Sequence, residues 1–179
     1  KSIYGHEPHR MEKELREFYS DLEHQWEVVW NQWDGGGNRI RGFSDVTGLL
    51  VSTGVFKESS QLSCKLDFLG GKQSKAGFVV GYEDTDNFTE IMLVRGERVK
   101  VVYRREGQWV TGPSAQLPQD AKGDGLPEFT MKLISDERVE LSVNGTEVLA
   151  ATLECTATDS RWGMFVDATH CDFVGVALE

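Results

Sequence analysis

The stretch from residue 76 to residue 104 constrains the fold most, because it holds three strand-like segments in succession. The segments are residues 77–82, 88–94 and 98–104, and each is rich in β-branched and aromatic side chains. Short runs of turn-forming residues separate them. Strands joined by such short connections pair as antiparallel hairpins. The stretch therefore predicts three neighbouring strands of an antiparallel sheet.

The rest of the chain continues this pattern. Apolar and polar residues alternate over residues 61–69, as expected of a half-buried strand. Asn144-Gly145 between two alternating segments predicts a type I′ hairpin. Further strands are predicted at residues 26–30, 48–52, 129–133, 139–143, 162–166 and 171–178, and loops at 34–38 and 112–127. About eleven or twelve strands, without the helices of βαβ units, predict an all-β, two-sheet antiparallel sandwich.

The N-terminal part differs from the rest. Residues 1–10 are polar and are interpreted as an arm, whereas residues 11–22 have apolar side chains at helical spacing. The sequence thus predicts one short amphipathic helix within an N-terminal unit, residues 1–25, and a sandwich domain over residues 26–179. The helix is expected either to pack on the edge of the sandwich or to contact another domain. The absence of an initiator methionine suggests a processed form or an excised domain.

Composition excludes some classes of function. The chain of 179 residues carries 29 acidic and 19 basic residues, a net charge of −10, which argues against non-specific nucleic-acid binding. No apolar run approaches the length of a membrane span, so membrane insertion is not expected. The three cysteines lack zinc-site spacing, and sequence leaves open whether Cys155 and Cys171 pair.

Several phrases in a fixed order carry a family resemblance. They are GFVVGY at residues 77–82, DTDNF at 84–88, LSVNG at 141–145, WGMF at 162–165 and DFVGV at 172–176. This order resembles the concanavalin A-like lectin and glucanase jelly rolls, in their laminin G-like and family-1080-of-unknown-function branches. The resemblance implies a jelly roll over residues 26–179 and an extracellular or periplasmic setting. It does not choose between lectins, adhesion modules and hydrolases, which share this fold.

The sequence contains no evident set of catalytic residues. Glucanases of this fold place a carboxylate pair at alternate positions of one strand, which brings the two carboxylates about 5 Å apart. No such pair lies inside a predicted strand here, and the four histidines have no evident nucleophile partner. A non-catalytic binding module is therefore favoured, and a glycoside hydrolase is kept as an alternative.

One turn has the composition of a cation site. Asp84, Asp86 and Asn87 offer three oxygen-bearing side chains within four residues, and calcium takes 6 to 8 oxygen ligands. Relatives of this fold often hold calcium at the rim of a sheet. Aspartate and asparagine are also good turn formers, so a purely structural role is the other interpretation.

The third strand of the central stretch offers a candidate ligand surface. A turn at residues 95–97 would pair Ile91 with Val101, Leu93 with Val99 and Thr89 with Tyr103 on the core side. The outward side then carries three cations, and a tryptophan follows one turn later: Arg98, Lys100, Arg104 and Trp109. This combination suits a polar or anionic saccharide. The sequence thus predicts a module that binds a carbohydrate or a protein, with a structural role through the N-terminal helix as an alternative.

Overall fold

The computed structural model describes residues 26–36, 38–57, 60–69, 74–123, 125–155 and 157–179. Within these residues the chain forms twelve strands and a 3-10 helix, Gln119–Ala121. The strands are β1 (Trp26–Trp30), β2 (Gln32–Gly36), β3 (Arg39–Phe56), β4 (Gln61–Phe68), β5 (Lys75–Asp84), β6 (Asn87–Val94), β7 (Arg98–Arg105), β8 (Gln108–Gln116), β9 (Glu128–Leu133), β10 (Arg138–Val143), β11 (Thr146–Thr152) and β12 (Ser160–Leu178). The predicted all-β, antiparallel fold is confirmed. The N-terminal helix predicted at residues 11–22 lies outside the described residues.

The strands form two layers. In the front sheet the strands lie side by side in the order β1, the second half of β3, the first half of β12, β5, β6, β7 and β8. In the back sheet the order is β2, the first half of β3, the second half of β12, β4, β9, β10 and β11. Since every pairing is antiparallel, the connections are hairpins and returns across the sandwich.

Two long strands pass from one sheet to the other. Pairing between β3 and β12 shifts between Asp167 and Thr169, and Ala168 between them has a φ of 51°. The β1–β2 junction also has a positive φ, at Asn31, whose side-chain amide donates to the Thr47 carbonyl at 2.7 Å. A backbone kink in a strand redirects it. The three chain segments therefore turn the corner of the sandwich side by side.

The core lies between the two sheets. Phe78 on β5 stacks on Phe129 on β9, with ring centroids 5.6 Å apart and planes 4° from parallel, which joins the front sheet to the back sheet. Trp162 on β12 meets Trp26 edge-on at 5.4 Å. All four rings are buried. Burying aromatic side chains is the largest single source of stability for such a sandwich.

Some predicted boundaries were wrong. Residues 162–166 and 171–178 are two halves of one strand, β12, and residues 48–52 are the middle of the long strand β3. Residues 34–36, predicted as a loop, belong to β2, and β8 continues to Gln116 past the start of the predicted loop at 112. Glycine and proline indicated breaks there, but both stretches pair with a neighbouring strand.

The predicted Asn144-Gly145 hairpin is present, and the three cysteines form no disulfide. The Asn144-Gly145 turn has φ values of 51° and 81°, so the predicted type I′ turn is confirmed. Cys64, Cys155 and Cys171 are all free thiols, and Cys64 and Cys171 are buried. Within the described residues no helix has the length and apolarity needed to cross a membrane.

Candidate functional site

The outward surface of the front sheet, here called the front face, carries the candidate site. On β6 the side chains of Thr89, Ile91 and Leu93 point into the core and pair with Tyr103, Val101 and Val99, as predicted. The intervening residues point outward because side chains alternate along a strand. Across β6 and β7 they form facing pairs: Phe88 with Arg104, Glu90 with Val102, Met92 with Lys100 and Val94 with Arg98.

Much of the front face is apolar and buried. The front apolar patch comprises Leu49, Val51, Val79, Tyr82, Phe88, Met92, Val94 and Phe165, with Val29, Trp30 and Val102 packed against it. Leu49 and Phe165 have no exposed surface although they alternate with core residues on their strands. All four outward side chains of β6 from Phe88 to Val94 are buried.

Beside this patch, a cationic groove runs along β7 and β8. A cavity of about 380 Å³ is lined by Lys75, Val94, Glu97, Arg98, Lys100, Thr111 and Ser114. A second, of about 260 Å³, shares Lys75, Lys100 and Thr111 with the first and adds Thr47, Glu90, Met92, Val102, Trp109 and Asp167. The shared lining makes the two cavities one continuous groove. Its volume lies in the range of small-ligand sites.

Three of the four predicted ligand-binding residues line the groove. Arg98 lies in the larger cavity, 3.0 Å from the carboxylate of Glu97. Lys100 lines both cavities. Trp109 lines the smaller cavity and exposes 47% of its surface, so its ring is available to a ligand. The hairpin register predicted from sequence is what brings these side chains together.

Arg104 has a different position. Its guanidinium lies 4.6 Å from the centroid of the Trp109 ring, and its Nε donates to the Thr85 carbonyl at 3.4 Å. Phe88 packs against the same ring in a T-shaped arrangement, with the two ring centroids 5.9 Å apart. A cation over an indole face is attracted by the ring quadrupole. Arg104 therefore packs on the Trp109 ring beside the groove and does not line either cavity.

Sequence reasoning did not select three groove residues: Lys75, Glu90 and Asp167. Lys75 on β5 and Asp167 on β12 are neighbours in register, with Nζ and Oδ2 3.9 Å apart. Both reach the groove through pairings between distant parts of the chain, which carry no local signal. Glu90 carried a weak signal, since it is an acid among the apolar outward residues of β6.

The carboxyl group of Glu90, which lines the groove, has a strongly shifted pKa. Its side chain is buried, and Oε2 has no hydrogen-bond partner among the described residues. Burial raises the pKa of this carboxyl to about 8, helped by the negative charge of Asp167 and opposed by Lys75, Arg104 and Lys100. Glu90 is therefore mostly protonated at neutral pH and can donate a hydrogen bond.

The predicted calcium residues form the turn between β5 and β6. Asp84 Oδ1 accepts from the Asp86 backbone N–H at 2.8 Å and from Asn87 Nδ2 at 3.0 Å. Asn87 Oδ1 accepts from the Glu106 N–H at 3.1 Å, and Asp86 Oδ1 lies 3.9 Å from Arg104. These bonds use oxygens that a cation would need, and an aspartate that shapes a turn in this way is common. Calcium binding at this turn stays a prediction.

Comparison with known proteins identifies the architecture. No protein-family model matches the sequence, and no curated protein matches it. Among solved structures, the carbohydrate-binding module CBM66 from Bacillus subtilis superposes with a TM-score of 0.73 at 15% identity, covering 86% of this chain and 94% of that one. The fold is a jelly-roll β-sandwich.

Two further structures agree with the jelly-roll assignment. Toad ovary galectin in complex with thio-digalactose superposes with a TM-score of 0.57 at 10% identity over 76% of this chain and all of the galectin. The GH43 protein BlXynB (K247S mutant) from Bacillus licheniformis gives 0.60 at 19% identity over 83% of this chain but only 35% of that chain. At these identities the likeness establishes the fold alone.

Proposed function

We propose that this jelly roll is a non-catalytic carbohydrate-binding module whose ligand lies in the cationic groove along β7 and β8. The observation that carries the proposal is the half-exposed Trp109 beside Lys75 and Lys100 in one groove. An exposed indole can stack on a sugar ring, while ammonium groups donate hydrogen bonds to its oxygens. The names of the CBM66 and galectin structures support this class of ligand, and a secreted or periplasmic parent protein fits it.

Substitution of Lys100 or Trp109 by alanine tests this proposal. Each variant is expected to bind a glycan selected from an array at least about tenfold more weakly in titration calorimetry, because hydrogen bonds to charged groups and aromatic contacts each contribute about 1–3 kcal/mol. Lys132→Ala, at an exposed position on β9 of the back sheet, is the matched control and should bind as the parent does. A glycan array without any binding would contradict the proposal. Release of sugar during the titration would favour the hydrolase alternative.

A structural role is the second candidate, and the front apolar patch favours it. The amphipathic segment at residues 11–22 ends only a few residues before β1, whose Trp30 already contacts the patch. The segment carries acidic side chains at Glu12, Glu14 and Glu17, and the rim of the patch is basic at Lys75 and Lys100. We propose that the apolar side of this segment covers the patch of its own chain.

Removal of residues 1–24 tests this second role. If the segment covers the patch, the truncated chain should expose several hundred Å² of apolar surface and self-associate. Analytical ultracentrifugation should then detect a faster-sedimenting species, and a hydrophobic dye should bind. Phe18→Glu in the full-length chain should have the same effect, whereas Lys13→Gln, on the polar side of the segment, should not. A truncated chain that sediments as a monomer and leaves the dye unbound would contradict this role.

A further inference from the structure

The charges of the cationic groove do not balance. Of its three cations, Arg98 is paired with Glu97 at 3.0 Å and Lys75 lies 3.9 Å from Asp167. Lys100 lines both cavities and has no carboxylate within ion-pair distance among the described residues. The remaining acid of the groove, Glu90, is mostly neutral. A chain with a net charge of −10 thus has one groove with an uncompensated positive charge.

Glu90 lies at the bottom of the same groove. It is only 4% exposed, yet it lines the smaller cavity together with Lys100 and Trp109. Its neighbours along the sheet are the apolar residues Val79 and Val102, which offer no side-chain hydrogen bond. A buried polar group without a hydrogen-bond partner destabilises a protein. The position of the Glu90 carboxyl beside a cavity therefore indicates a ligand that forms the missing hydrogen bond.

We propose that the groove binds saccharides that carry a carboxylate, with the Lys100 ammonium and the protonated Glu90 carboxyl both donating hydrogen bonds to that carboxylate. This inference rests on the proposed function and names the class of sugar: uronic acids. Bonds from a cation and from a neutral acid to a carboxylate are charge-assisted and are stronger than bonds between neutral groups. Trp109 would contact the ring that carries the carboxylate.

The proposal makes binding depend on pH. The charged groups that act on Glu90 are Asp167 on β12, Lys75 on β5, and Lys100 and Arg104 on β7. As pH rises through about 8, Glu90 loses its proton and becomes a negative charge facing the ligand carboxylate. Uronate binding that weakens between pH 7 and pH 9 in the parent but not in Glu90→Gln would therefore report on Glu90.

Calorimetric titration with uronate trimers tests the inference, using galacturonate, glucuronate and mannuronate trimers and their carboxyl-reduced neutral counterparts. At pH 6.5 at least one uronate should bind tenfold or more tightly than its neutral counterpart. This preference should fall about tenfold by pH 9 and should disappear in Lys100→Ala. Glu90→Gln keeps a neutral donor, so it should retain the preference at both pH values.

The outcomes separate this inference from the proposed function. Equal affinity for uronates and their neutral counterparts would overturn the inference and leave carbohydrate binding intact. A glycan array without binding would remove the proposed function itself. A sulfated trimer that binds as tightly as the uronates at both pH 6.5 and pH 9 would also overturn the inference, because sulfate needs only the cations. A preference that does not change with pH in the parent would exclude the role of Glu90.

Discussion

Replacement of Phe129 by alanine is expected to lower the free energy of unfolding by about 3–5 kcal/mol. Phe129 has no exposed surface, and its ring stacks on Phe78 across the space between the two sheets. Removing it creates a cavity at the junction of the layers, where β9 and β5 belong to different sheets and cannot easily close together. Urea denaturation followed by tryptophan fluorescence would measure the change.

Two control variants define the cause of this loss. Phe129→Leu keeps most of the apolar volume and should cost less than the alanine variant. Leu126→Ala removes three carbon atoms, the same number as Phe129→Leu, but from a side chain that is 41% exposed, and it should change stability by much less than Phe129→Ala. A Phe129→Ala protein as stable as the parent would mean that the stacked pair does not join the sheets.

Glu90→Gln is expected to raise stability at alkaline pH. The pKa of Glu90 lies at about 8 in the folded chain and at its ordinary value near 4.5 when unfolded. The folded chain therefore binds the extra proton between these values, and its stability falls as pH rises through them toward and beyond pH 8. The loss is about 5 kcal/mol by pH 9, since the two pKa values differ by about 3.5 and each pKa unit corresponds to about 1.4 kcal/mol. Glutamine does not ionise, so the variant does not lose stability in this way as the pH rises.

Thermal and urea unfolding of the two proteins from pH 4 to pH 9 would measure this effect. The two curves should lie close together at pH 4 and separate steadily above pH 5, with the variant more stable. Glu97→Gln makes the same chemical change at the exposed rim of the groove and should keep the pH dependence of the parent. Parallel curves for Glu90→Gln and the parent would show that Glu90 is charged in the folded protein.

Local patterns predicted the features that depend on neighbouring residues. The register of β6 with β7 follows from a three-residue turn and from alternation, which is why Arg98, Lys100 and Trp109 were placed on one surface correctly. The Asn144-Gly145 hairpin follows from the need for positive φ at both positions. In each case the interactions that determine the strand pairing join residues less than about twenty positions apart in the sequence.

Features that depend on distant contacts could not be predicted. The corner in β12 lies at Ala168, which has a positive φ but is not a residue type that signals a turn. Lys75 and Asp167 enter the groove because β5 pairs with β12, more than eighty residues later. Glu90 was placed on the outward side of β6, but its burial arises from the packing of the whole front face. Arg104 was predicted as a ligand-binding residue, and only the structure places it over the Trp109 ring.

The position of β12 has a consequence for how the chain can fold. This strand lies inside both sheets, with β3 on one side and β5 or β4 on the other, yet it is the last strand to be synthesised. Neither layer can close until residues 160–178 have left the ribosome and found partners roughly 80 to 135 residues upstream. Folding of the sandwich is therefore expected to begin only after β12 has been synthesised and to be slow, as in other chains dominated by non-local pairing. Until then the inner edges of β3, β4 and β5 remain unpaired, which makes nascent chains a natural substrate for chaperones.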